Sequence, residues 1–213
     1  MKEDNTYTIN MVENHIRTLN VIDDGVLNIL KNISRKLFVP EQYKSFAHVD
    51  MSIPIGFDQH MLLPSVEAKI LQAMNIKKNE DVLVVGSGTG YLSTCLSKQA
   101  NRVHSIDIIK DFVDESIKKT KTLENKNMIF EQADILECLH LIKSYKAIIF
   151  TTALKDIDPI LENLDNNART FIFQKEDNFP IQKGMIVYKT NKLSYMKEFI
   201  LETNVETILT SKL

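Results

Sequence analysis

Three observations predict a doubly wound α/β protein with a mostly parallel, seven-stranded sheet and an N-terminal helical extension. Short apolar runs alternate with amphipathic stretches from residue 81 onward. The first run, Val82 to Val85, is apolar at every position, and it stops at three alternating glycines, Gly86, Gly88 and Gly90. A strand that is apolar on both faces belongs inside a parallel sheet covered by helices on each side. Regular alternation of strand and helix builds such a sheet.

The chain has 213 residues, 44% hydrophobic and 25% charged, so it can bury a large core. We expect a single domain over 1–213, with N-terminal helices and a covering loop in 1–75 and an α/β core in 76–213. Val12, Ile16 and Leu19 recur at helical spacing, as do Val26, Leu27, Leu30 and Ile33, with Asp23 or Asp24 placed to cap the second helix. Residues 34–64 are polar and interrupted by Pro40 and Pro54, long for a structureless connection and therefore expected to cover a site. Ser65 to Met74 read as a helix leading into the glycine strand. Further strands are expected near 102–106, 128–131, 146–151, 169–174, 184–189 and 196–203, with helices near 91–99, 110–122 and 157–164. The short polar connection Thr190-Asn-Lys192 predicts that an antiparallel hairpin ends the sheet. Internal repeats and low-complexity tracts are absent from the sequence.

The glycines point to a ligand. They let the backbone turn sharply and lie against a bound molecule with no Cβ in the way. About twenty residues on, Val103-His-Ser-Ile-Asp107 is a second apolar strand ending in an acid, where a ribose-binding carboxylate would sit. The spacing is G-x-G-x-G rather than the G-x-G-x-x-G of dinucleotide binders, and no G-x-x-x-x-G-K-[ST] cradle is present.

Other classes lose support from composition. A formal net charge of −2 gives no electrostatic reason to expect a nucleic acid or an anionic membrane as partner. Cys95 and Cys138 are too few and too far apart for a disulfide framework or a C-x-x-C metal site, which makes a reducing cytoplasm the default. The N-terminus, Met-Lys-Glu-Asp-Asn-Thr, lacks an apolar stretch before a cleavage site. His15, His48, His104 and His140 show no metal-ligand spacing, so no metal is expected.

The glycine loop resembles motif I of S-adenosylmethionine-dependent methyltransferases of the Rossmann-like class I type. A narrower resemblance comes from Met11-Val-Glu, Ser34-Arg-Lys-Leu-Phe-Val-Pro40, Asp50, Pro54-Ile-Gly56 with Gln59 and Pro64, and then Val82 to Tyr91. In that order they are similar to the protein-L-isoaspartate O-methyltransferase family, and the similarity continues through Asp107, Gln132-Ala-Asp134 and Leu161 to Leu164. The resemblance implies S-adenosyl-L-methionine as cofactor, S-adenosyl-L-homocysteine as product and a damaged protein or peptide as substrate. It also implies protein repair in the cytoplasm by a monomer or weak homodimer. Gly86, Ser87, Gly88 and Gly90 would lie under or beside the methionine part, Asp107 would bind the ribose hydroxyls, and Asp134 would face the adenine amino group. Ile108 and Ile135 complete the implied cofactor set. Asp134 also admits a plain alternative, capping a helix that begins near Ile135.

Departures from the family pattern concentrate in the covering segment. Gly-Gln-Thr-Ile-Ser becomes Asp58-Gln-His-Met-Leu62, so the serine expected beside the acceptor is Leu62, which has no hydroxyl. Losing a hydrogen bond to a charged partner costs about 1–3 kcal/mol. Asp58 tolerates a left-handed backbone, but its carboxylate would oppose an anionic substrate. Val84 stands where a glutamate is usual, Lys146 where an aspartate is, and Asn167-Ala168 where a Gly-Gly turn is. The catalytic candidates are Asp58, Gln59 and His60. His60 could take a proton from an amine or hydroxyl acceptor; alternatively it is a loop histidine bonded to backbone. An isoaspartyl carboxylate, which ordinarily titrates near pH ~4, is already ionised at neutral pH and needs no base. What its methylation needs is in-line alignment and a dry pocket, for which residues 53–64 are placed. Because of Leu62 and Asp58, a different methyl acceptor and a non-catalytic cofactor-binding relative both stay open.

Overall fold

The computed structural model describes residues 2–123, 126–177, 179–191 and 194–210. The chain opens with α1 (Lys2–Asn10), continued by a wider π-type turn at Met11–Ile16 and a 3-10 turn at Arg17–Leu19. Val12 and Ile16 are buried as their spacing requires, whereas Leu19 is half-buried. Met1 lies outside the described residues. Of the two capping candidates it is Asp23 that caps α2 (Asp24–Asn32), its side chain accepting from the Val26 N–H at 2.9 Å.

The expected seven strands form. They are β3 (Asp81–Val85), β4 (Arg102–Asp107), β5 (Met128–Gln132), β6 (Ala147–Leu154), β7 (Arg169–Gln174), β8 (Gln182–Asn191) and β9 (Ser194–Thr203). They are joined in the order β5-β4-β3-β6-β7-β8-β9. Neighbours are parallel from β5 to β7; β8 and β9 pair antiparallel. The turn of that last hairpin, which includes Lys192, lies outside the described residues. Alternate side chains of the central strands feed two different cores. Val82 and Val84 join Ile149 and Phe171 under the N-terminal helices, while Leu83 and Val85 join Ile148 and Phe150 on the opposite face with Ile160. That division explains why the run Val82 to Val85 carries no polar position. Helices α3 (Pro64–Met74), α4 (Tyr91–Ser97), α5 (Lys110–Lys121) and α6 (Asp158–Asn163) fall where expected. Near Ile135, where the alternative reading of Asp134 supposes a capped helix, a turn is found.

The covering segment is more ordered than its sequence suggests. It holds 3-10 turns at Arg35–Leu37 and Glu41–Phe46 and a small antiparallel hairpin, β1 (Ile53–Gly56) and β2 (Gln59–Met61). Two residues at the hairpin tip, Phe57 (φ 54°) and Asp58 (φ 53°), are left-handed. Asp58 and Asn167 (φ 62°) are each of the residue type that best tolerates this backbone. The segment is tied down by Arg35, which is 1% exposed. Its Nε donates to Glu67 Oε2 at 3.1 Å, Nη1 donates to the Ala47 carbonyl at 3.3 Å, and Nη2 donates to the Leu62 carbonyl. Asp50 closes the other end, accepting from Ser65 N at 2.9 Å and Ser65 Oγ at 2.8 Å at the start of α3.

Candidate active site

The chain leaves β3 towards β4 on one side and later returns through β6 on the other, so a crevice opens beyond the C-terminal ends of these strands. The glycine loop spans it. Gly86 N and Ser87 N donate to the Ile106 carbonyl at 2.9 and 3.1 Å, and Gly90 N donates to the Ser87 carbonyl at 2.8 Å as α4 begins. At Gly86 (φ 91°) a Cβ would lie 2.1 Å from Thr151 Oγ1, so only glycine fits beside β6. Gly88 (φ 49°) faces Ile55 of the hairpin instead, at ordinary contact distance.

Asp107, at the end of β4, is held by this loop. Its Oδ2 accepts from Gly88 N at 2.9 Å and Ser87 Oγ at 3.2 Å, and its Oδ1 accepts from Ile109 N at 3.0 Å. Burial pushes the carboxyl above its ordinary pKa range, opposed by the hydrogen bonds from Gly88, Ile109 and Ser87. Oδ1 keeps an unused lone pair, so the group can still accept from a hydroxyl.

These residues form one end of an open cleft whose empty space, solvent at its mouth included, is about 830 Å³. Of the sequence-predicted residues, Gly86, Ser87, Gly88, Asp107 and Asp134 line it, as do Ile108 and Ile135. Gly90 and Asp58 are not among the residues that line it. Gly90 packs against Ser116 at the start of α4, and Asp58 is exposed on the hairpin tip. Asp134 meets both of its alternatives: it lines the cavity, and its Oδ1 accepts from Leu136 N at 2.9 Å in the turn found near Ile135. Its Oδ2 accepts from Thr210 Oγ1 at 3.1 Å.

The other end is roofed by the hairpin and by the segment after β9. Gln59, His60 and Leu62 contribute from the former, Glu206, Ile208 and Leu209 from the latter. His60 is not bonded to backbone as its plain alternative supposed; its Nδ1 lies 2.6 Å from Glu206 Oε1. Leu62 is 8% exposed and joins the core beneath the roof. Val84 is fully buried and does not reach the cavity, but Glu67 does. Burial pushes the Glu67 carboxyl up to about 7, against the pull of the Arg35 guanidinium.

Sequence reasoning missed Glu67, Thr151 and Glu206. Thr151 could have been found, since it follows the apolar run Ala147 to Phe150 in the C-terminal half of a parallel strand that ends at the crevice. Glu206 had no local signal, because its partner lies 146 positions away.

The arrangement fits a nucleoside carrying an uncharged sugar: a glycine loop with no lysine beside it, a buried carboxylate with accepting capacity, and apolar walls from Ile108 and Ile135. No helix among the described residues is long and apolar enough to cross a membrane. Among known proteins, a protein-L-isoaspartate O-methyltransferase of Dictyoglomus thermophilum is 33% identical over 144 residues, 67% of this chain. The chain spans 66% of that relative's own length, just under two thirds. A protein-L-isoaspartate O-methyltransferase 2 of Anaeromyxobacter sp. is 30% identical over 181 residues, 84% of this chain and 74% of that one. A Plasmodium falciparum structure described as a protein-L-isoaspartate O-methyltransferase, in complex with S-adenosyl-L-homocysteine, shares the fold. Its TM-score is 0.79 at 20% identity, covering 94% of this chain and 97% of that one. With the family model matching residues 6–197, the chain belongs to the protein-L-isoaspartate(D-aspartate) O-methyltransferase (PCMT) family.

Proposed function

We propose that this protein transfers a methyl group from S-adenosyl-L-methionine to the free carboxylate of isoaspartyl residues in damaged proteins. The observation that carries the reading is a continuous cavity in which Asp107 and the glycine loop form one end and the β1–β2 hairpin roofs the other. When bound, the cofactor supplies an electrophilic methyl on a sulfonium. Gly86, Ser87 and Gly88 would lie against its methionine part, Asp107 would accept from its ribose, and Asp134, with Ile108 and Ile135, would border its base.

The chain's own contribution is placement and exclusion of water. An isoaspartyl carboxylate is ionised at neutral pH, so no side chain has to remove a proton. Holding it in line with the methyl carbon can supply several kcal/mol of the barrier. Leu62, Ile55 and Ile208 give the acceptor end an apolar lining that keeps water out while anion and sulfonium combine. We assign residues 1–75 to covering the substrate and 76–213 to holding the cofactor, in a cytoplasmic protein working on peptide chains rather than nucleic acid.

Methyl transfer from labelled S-adenosyl-L-methionine to an isoaspartyl peptide tests the reading. The expected product is a base-labile ester, absent when ordinary aspartate replaces isoaspartate. Binding of S-adenosyl-L-homocysteine with no ester formed would overturn it.

A further inference from the structure

We propose that His60 is the residue that receives the acceptor carboxylate, with Glu206 fixing its ring; the proposal rests on the isoaspartyl reading above. His60 stands on β2, and its Nδ1 lies 2.6 Å from Glu206 Oε1, both side chains bordering the cavity. A carboxylate at that distance accepts the Nδ1 proton. Nε2 is therefore the nitrogen left to face a ligand, and in the imidazolium it is a second donor.

Charge makes the role specific. Four carboxyl groups border the cavity: Glu67 from α3, Asp107 from β4, Asp134 after β5 and Glu206 after β9. Among the described residues that line it there is no lysine or arginine, and His60 is the one side chain able to carry positive charge. Arg35 lies beneath, turned to Glu67 and the carbonyls of Ala47 and Leu62. Lys175 reaches Thr207 Oγ1 at 3.1 Å, next to Glu206 but outside the wall. Asp58 is exposed on the tip of the same hairpin, and Tyr91 is the remaining titratable group on the wall. An anion entering this surrounding meets the repulsion of these carboxylates, which a donor from His60 would offset beside the cofactor's sulfonium. Leu62, on the same covering segment, offers no side-chain donor. The His60 ring, anchored by Glu206, supplies one two residues away.

The test uses the full chain saturated with S-adenosyl-L-homocysteine and a fluorescent isoaspartyl peptide, read by anisotropy, beside steady-state methyl transfer. His60→Ala should weaken peptide binding and raise KM about tenfold near pH 6, as expected for losing a charged hydrogen bond. The turnover number and the affinity for S-adenosyl-L-homocysteine should change less than about twofold. His60→Gln, a neutral donor, should recover part of the loss. Glu206→Gln should weaken peptide binding in the same direction as His60→Ala and by less, since the ring stays but its anchor is changed. Equal peptide affinity in wild type and both His60 variants overturns the proposal. So does a loss confined to the turnover number that deepens as pH rises, which would make the ring a base. Wild type that binds the peptide through His60 yet forms no ester overturns the isoaspartyl activity and leaves the recognition role standing.

Discussion

The two ends of the cavity are held together in different ways. The glycine-loop end is built from neighbouring stretches of chain and from backbone: Gly86, Ser87 and Gly88 hydrogen-bond to Ile106 and Asp107, the end of the next strand. The roof is built from side-chain pairs, Arg35 with Glu67, Asp50 with Ser65 and, 146 positions apart, His60 with Glu206. Backbone packing leaves little freedom to vary, whereas a roof of side-chain pairs can exchange partners while the same hairpin is kept.

The contrast can be broken at several points. The largest effect is expected from Arg35→Met, which leaves Glu67 buried without its partner and should cost about 3–5 kcal/mol in urea unfolding. The double variant Arg35→Met, Glu67→Met should recover much of it. Gly86→Ala strikes the backbone end, where the added Cβ meets Thr151 Oγ1 at 2.1 Å on a left-handed backbone. Strain and overpacking together suggest about 3 kcal/mol, accompanied by lost affinity for S-adenosyl-L-homocysteine in calorimetry.

Glu67 also predicts a pH dependence. Its folded-state pKa is raised from 4.5 to about 7, so the folded chain holds that proton more tightly than the unfolded one. The stabilisation is complete below about pH 4.5 and is lost as pH rises through 7, a swing on the order of 3 kcal/mol from this group at 1.36 kcal/mol per pKa unit. Urea unfolding at pH 5 and pH 7.5 should show a smaller fall for Glu67→Gln than for wild type; equal falls would remove the assignment. Asp107→Ala should weaken S-adenosyl-L-homocysteine binding about 10- to 100-fold by calorimetry, through the lost ribose contact and the freed Ser87 and Gly88 donors. The smallest effect belongs to Asp58→Gly. Relief of the left-handed backbone is offset by a more flexible unfolded chain, so stability should move by no more than about 0.5 kcal/mol. Because Asp58 is not part of the cavity wall, peptide KM should be unchanged.

How much of this was legible in the sequence follows the same division. The central strands announced themselves, since a strand buried on both faces has to be apolar throughout, as Val82 to Val85 are; the exposed edge strands β5 and β9 were read from short apolar runs and their place in the alternation. The glycine loop and Asp107 were legible because alternating glycines after an apolar strand, and an acid closing the next strand about twenty residues on, form a pattern readable along the chain. The β1–β2 hairpin was not, being too short for any periodicity and carrying Pro54 and Gly56 in a four-residue strand. Asp58 read as a carboxylate near the substrate, but the left-handed turn carries it to the surface. The buried role of Arg35 was hidden because arginine in a polar stretch ordinarily signals exposure. Glu206 was invisible for a different reason: a side-chain pair over such a distance leaves no pattern in either stretch.

That distance also sets a clock. Glu206 emerges 146 positions after His60, and at cellular rates of about 5–20 residues per second the delay is roughly 7–30 s. In the last part of that interval, once the chain has passed Thr151, the glycine loop has all its partners while one wall of the pocket is still unsynthesised. Bound nucleoside can stabilise only a state that holds it, so the nascent chain must persist on its own packing until the last wall arrives.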